Sequence, residues 1–199
     1  MNIEQNDLFD GERVILSKAA NSIIKINDYG LKRLPFDQLM PLVGLQGKEA
    51  IGGKLHLTNY RLIFKSHPIN RLKGKFSIFL STVEDVRDTS RFVTKKMEVT
   101  TQTQTFEFVI WGIPALIKEI NSARERLNEE QNNLIKSSAV DDYKKIGEGL
   151  ELFDLLDKIV RNGPGIAENL LGMARNPIGL ASALNTLELL NRAADKKAE

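Results

Sequence analysis

From about residue 13 to residue 110 the apolar residues fall mostly on alternate positions, the mark of strands with one face in a core. Leu55 and Leu57 alternate with Lys54, His56 and Thr58, and Leu62 and Phe64 with Arg61, Ile63 and Lys65. The same period runs through Phe76, Ile78 and Leu80, through Met97 and Val99, and through Phe106, Phe108 and Ile110. Strands are therefore predicted at 53–58, 61–65, 76–80, 96–100 and 105–110, with further ones at about 13–26 and 83–87. At Trp111-Gly112-Ile113-Pro114 the period changes. Proline suits a first helical turn, where its missing N–H would have no partner. Leu116, Ile117, Ile120, Ala123 and Leu127 then recur at three and four, giving a helix with one apolar stripe. Trp111 is read as a core residue or helix-entry anchor.

Residues 128–138 turn polar and are read as an extension into solvent or a linker. Beyond them a helical stripe runs through Tyr143, Ile146, Leu150, Phe153 and Leu156 and stops at Asn162-Gly163-Pro164-Gly165. A short piece at 166–175, a break at Asn176-Pro177 and a last helix at 178–195 complete the chain. The expected division is a sheet domain over 8–138, its capping helix at about 113–136, and a helical extension over 139–199. One connection stands out. Residues 27–51 are long for a loop and rich in large apolar groups, Leu34, Phe36, Leu39 and Met40 among them. That segment packs on the sheet, folds as a short helix or contacts a partner.

Composition narrows the chemistry. The 199 residues carry 28 Lys and Arg against 26 Asp and Glu, a net charge of +2, which excludes a polycation and a charged disordered tail. The absence of cysteine excludes a disulfide scaffold, thiolate zinc sites and thiol catalysis. Acids precede the first base at Arg13, the reverse of a secretory or mitochondrial leader, and no apolar run approaches the roughly 20 residues of a spanning helix. A cytoplasmic location is expected, with peripheral association at a membrane left open. His56 and His67 have no acids or second histidine at ligand spacing, so neither a metal nor another cofactor is expected. The run Gly47-Lys48-Glu49-Ala50-Ile51-Gly52-Gly53-Lys54-Leu55 is not a phosphate loop. Its second glycine and lysine are out of register, Leu55 stands where a hydroxyl is required, and a strand follows where a helix should. The expectation is a protein that is not an enzyme.

The stretch Gly53-Lys54-Leu55-His56-Leu57-Thr58-Asn59-Tyr60-Arg61-Leu62-Ile63-Phe64-Lys65-Ser66 resembles the core hairpin of a GRAM domain, within the pleckstrin-homology-like superfamily. Phe9 to Val14 resembles the approach to that family's first strand. Phe76 to Val86 resembles its "I-P-L-x-x-I" strand, with Phe79 where proline is common. The resemblance covers about residues 8–127. It implies an α+β fold: a seven-stranded antiparallel PH-like barrel capped by a C-terminal helix, here followed by the all-helical extension. It also implies a binding module, since some members bind phosphoinositides or phosphatidylserine and others bind proteins.

Charge supplies the candidate site. No acid occurs between Glu49 and Glu84, whereas Lys54, Arg61, Lys65, Arg71, Lys73 and Lys75 all lie there. Residues 1–112 hold 16 bases and 12 acids, net +4, and the rest hold 12 bases and 14 acids, net −2. A two-residue turn at Asn59-Tyr60 sets Leu55 against Phe64 and Leu57 against Leu62, as a core demands, and the same register sets Lys54 against Lys65. Like charges facing across a strand pair are unfavourable, and an anion would relieve them. A four-residue turn at 101–104 pairs Glu98 with Glu107 by the same reasoning, so facing like charges do not by themselves identify a site. Glu98 and Glu107 could equally neutralise Lys54 or Arg61. Two readings stay open. In the first, these six bases bind anionic phospholipid or phosphoinositide head groups. In the second, the protein is an adaptor whose apolar connection (Leu34, Phe36, Leu39, Met40) and C-terminal helices bind a protein partner or a second copy. Nucleic acid is not expected, because only Tyr60 and Phe76 lie near the bases and Phe76 is needed inside.

Overall fold

A computed structural model describes residues 2–25, 48–70, 74–102, 104–146, 185–186 and 188–189. The strands are β1 (Val14–Lys25), β2 (Lys48–Thr58), β3 (Arg61–Ser66), β4 (Lys75–Phe79), β5 (Val83–Asp88), β6 (Lys96–Thr101) and β7 (Thr105–Ile110). They form one seven-stranded sheet in the order β4-β3-β2-β1-β7-β6-β5, every pair antiparallel. All seven predicted strands are present, and Leu55 faces Phe64 and Leu57 faces Leu62, but Ile63, expected on the polar side of β3 with Arg61 and Lys65, is buried.

The sheet curls on itself. In a flat sheet β4 and β7 would stand about 19 Å apart, four steps of about 4.8 Å. Yet Phe76 of β4 and Phe106 of β7 stack with centroids 5.5 Å apart, and Phe64 of β3 lies 6.1 Å from Phe108 of β7. These rings, with Leu55, Leu62, Ile78, Met97 and Val99, fill the concave side. Gly53 lets β2 take part. A Cβ there would collide with the Lys65 carbonyl oxygen and lie 2.7 Å from the Phe64 ring.

Helix α1 (Ile113–Glu125) closes the open side of this core with Ile113, Leu116, Ile120 and Ala123, on the stripe its sequence predicts. Gly112 precedes it at φ 71, and Arg124 donates from Nη2 to the Val83 carbonyl at 2.6 Å, pinning the last turn to β5. The helix ends earlier than the expected 136. Asn128 begins a new one: its Oδ1 accepts from Gln131 N at 2.8 Å, and its own N–H donates to Gln131 Oε1 at 3.2 Å. Such a reciprocal cap satisfies two N–H groups at a helix start. Residues 128–138 are therefore no linker but the start of α2 (Glu129–Ile146). On this helix Ile135 and Ala139 are buried with Tyr60, Phe79 and Leu189 in a second cluster.

Candidate anion-binding site

Register builds the site. Lys54 pairs with Lys65, as expected, and Lys65 pairs in turn with Lys75, so three strands carry three lysines abreast on the convex face. A segment ahead of β1 crosses this row. Its 3-10 turn, Gln5–Asp7, places the Asp7 carboxylate between two of the lysines, with Oδ1 2.7 Å from Lys75 Nζ and Oδ2 3.2 Å from Lys65 Nζ. Lys65 also donates to the Asn2 carbonyl at 3.2 Å, and Lys54 to the Asn2 side-chain oxygen at 3.4 Å. Burial pushes the Asp7 carboxyl up. Hydrogen bonds from Lys75, the Glu4 amide and Lys65 outweigh it and lower the group to about 2.

Arg61, four residues before Lys65 on β3, has a different task. It is buried, and its Nε and Nη2 each lie 2.9 Å from the Glu12 carboxylate. Nη2 also reaches the Asp7 carbonyl at 2.8 Å, and Nη1 the Ser77 hydroxyl at 3.1 Å. The Phe9 ring covers the guanidinium at 3.7 Å and stacks on Phe79. Glu12 further accepts from Thr58 Oγ1 and from the Phe9 amide, both at 2.7 Å. This arginine is committed to holding the N-terminal segment against the sheet and has no face open to a ligand.

The expected counter-ions lie elsewhere. Glu98 does face Glu107, but Lys96 bridges them at 2.8 and 3.2 Å, and neither acid makes an ion pair with Lys54 or Arg61 among the contacts described. The charges that meet the basic strands are Asp7 and Glu12. Next to the row, His56 is buried and its Nδ1 pairs with Ser17 Oγ at 2.7 Å. Desolvation first, then the positive field of Lys54 and Lys65, lowers this imidazole to about 4, so it is neutral at pH 7.

Arg71 and Lys73 lie outside the described residues, as do Leu34, Phe36, Leu39 and Met40 and most of the predicted C-terminal helices. Trp111 is not a core residue: it is 71% exposed. Chemically the site is a row of primary amines with one built-in carboxylate. Among the described residues no three His, Asp or Glu side chains gather as a metal site.

The family model of the GRAM domain matches residues 45–131, which take in β2 to β7, α1 and the first turn of α2. Over those residues the chain matches a GRAM domain. GRAM domains are generally non-catalytic modules that mediate interactions with membranes, lipids or proteins. Two solved structures are similar to it at low identity. A crystal structure of the C-terminal domain of an unknown protein from Leishmania infantum shares 16% identity, covers 59% of this chain and 88% of its own, and has a TM-score of 0.41. The Vps36 N-terminal PH domain shares 14%, covers 59% of this chain and 83% of its own, and has a TM-score of 0.39. No curated protein matches the sequence. The GRAM domain match begins at residue 45, so Asp7, Phe9 and Glu12, which cover its basic strands, come from outside the matched region.

Proposed function

We propose that this GRAM domain binds the anionic head groups of a membrane surface through Lys54, Lys65 and Lys75, with Arg71 and Lys73 of the β3–β4 connection as further contacts. The observation that carries the reading is the alignment of three lysines across β2, β3 and β4 against a single carboxylate, Asp7. The row keeps a surplus of about two positive charges. At about 1 kcal/mol per basic residue near an anionic leaflet, that surplus amounts to roughly thirtyfold in membrane affinity. Salt weakens such contacts, because the Debye length shrinks as ionic strength rises.

Flotation with vesicles of phosphatidylcholine, alone or mixed with phosphatidylserine or a phosphoinositide, tests the proposal. The full chain should float with anionic vesicles at low salt and lose binding as salt is added. Joint replacement of Lys54, Lys65 and Lys75 by Ser should abolish flotation. Binding unchanged by that triple substitution sinks the reading. The adaptor alternative draws less support, because the described tail residues are already occupied: Leu189 is buried against the domain, and Asn185 and Glu188 bond to it.

A further inference from the structure

We propose that the tip of the β5–β6 hairpin is a wedge that enters the interfacial zone of a bilayer. The proposal rests on the membrane reading above but on a different part of the molecule. Phe92 and Val93 are the two central residues of a tight turn, closed by Arg91 N to the Thr94 carbonyl at 3.1 Å and Thr94 N to the Arg91 carbonyl at 3.0 Å. Both side chains stand clear of the protein, with Phe92 101% and Val93 87% exposed. Phe92 has φ 50, the only positive value at a non-glycine among the described residues. A hairpin turn whose first central residue has positive φ favours glycine there. The chain instead places a bulky aromatic where neither burial nor backbone preference supports it, and strain of this kind points to a use outside the fold.

A third exposed apolar side chain follows the strand that borders this hairpin. The Ile110 amide donates to the Lys95 carbonyl at 3.1 Å, so Trp111, 71% exposed, leaves β7 beside the returning arm of the hairpin. Arg91 and Lys95 flank the turn. The partner's chemistry follows from shape and charge. A convex two-residue tip has no walls of its own and needs a deformable apolar medium. Apolar and aromatic tips with cations beside them suit the boundary between acyl chains and anionic head groups.

The chain's one tryptophan makes the test direct. On binding vesicles of phosphatidylcholine with phosphatidylserine, Trp111 emission should shift to the blue and be quenched by lipids brominated near the head of the acyl chain. Phe92→Gly with Val93→Ser suits the turn, so the melting temperature should hold or rise. Vesicle affinity should nonetheless fall about tenfold or more, the scale of one buried aromatic side chain. Vesicle binding with unmoved Trp111 emission and an unaffected double variant would overturn the wedge and leave the lysine reading standing. Binding that survives the triple lysine substitution but is lost in the double variant would uphold the wedge and overturn the lysine reading. Failure to bind any of these vesicles, with tip-dependent binding to a protein instead, overturns both.

Discussion

Arg61 and Lys65 share one strand, one face and one acid-free stretch of sequence, yet the fold assigns them opposite tasks. Arg61 is 2% exposed and ion-paired with a buried Glu12, whereas Lys65 and Lys75 are about a third open and share one carboxylate. Removing one partner of a buried pair leaves an uncompensated charge, a loss of about 3–5 kcal/mol, while an exposed pair contributes about 1 kcal/mol or less. Arg61→Ala should therefore lower the unfolding free energy by about 3–5 kcal/mol in urea titrations, and Lys75→Ser by under about 1 kcal/mol. Equal losses would refute the division. The Lys54–Lys65 part of the row was legible in the sequence, because facing Leu55 with Phe64 and Leu57 with Leu62 leaves those two lysines no other register. The split within it was not. It depends on Asp7, Phe9 and Glu12, about 40 to 70 residues upstream, and nothing in an alternating pattern says which segment covers the outer face of a sheet. The acid-free window held the available signal: its counter-charges had to come from outside it.

The sheet was readable strand by strand because one face is apolar throughout; the helices after it were readable only in part. Residues 128–138 look like a linker because their one buried apolar position, Ile135, is too little to raise a stripe above the polar background. What they cover becomes clear only from the tail. Asn185 Oδ1 accepts from the Phe79 amide at the end of edge strand β4, at 2.8 Å, while its Nδ2 donates to Thr82 Oγ1, also at 2.8 Å. Glu188 Oε1 accepts from the Gln102 amide at 2.7 Å, and Leu189 is buried beside Phe79. Phe79 stands where the resembling family commonly has proline, a residue with no N–H to give. The departure at Phe79 thus supplies the donor that captures the tail. Asn185→Ala would leave a buried amide and a buried hydroxyl without that partner, a loss of about 1–3 kcal/mol. Hydrogen exchange of the Phe79 amide should accelerate accordingly while the amides of β2 and β3 keep their protection. Uniform loss of protection would instead mean that the tail contributes to the whole sheet.

Considered as one molecule, the net charge of +2 conceals an arrangement rather than a balance. The sheet half is basic, its innermost bases are met by acids from the first dozen residues, and a neutral imidazole is buried among the remaining positive charges. That arrangement fixes how the protein responds to acid. His56 titrates near 6.5 when unfolded and near 4 when folded, so the unfolded chain binds more protons between these values. Its stabilising contribution is complete above about pH 6.5, declines as pH falls through that window, and is gone below about 4. After allowing for solvent screening the loss is on the order of 2 kcal/mol. Asp7 acts in a lower window: its lowered carboxyl contributes fully above 3.8 and loses that contribution as pH falls toward about 2. The acid limb should therefore show two successive declines, one for each group. His56→Gln, which can keep a hydrogen bond to Ser17 and does not titrate, should flatten urea midpoints between pH 6.5 and 4 and leave the lower decline intact. Asp7→Asn should do the reverse, and by freeing Lys65 and Lys75 it should also strengthen binding to anionic vesicles at pH 7. A His56→Gln midpoint that still falls with wild-type slope across the upper window would show that the buried imidazole is not the group responsible.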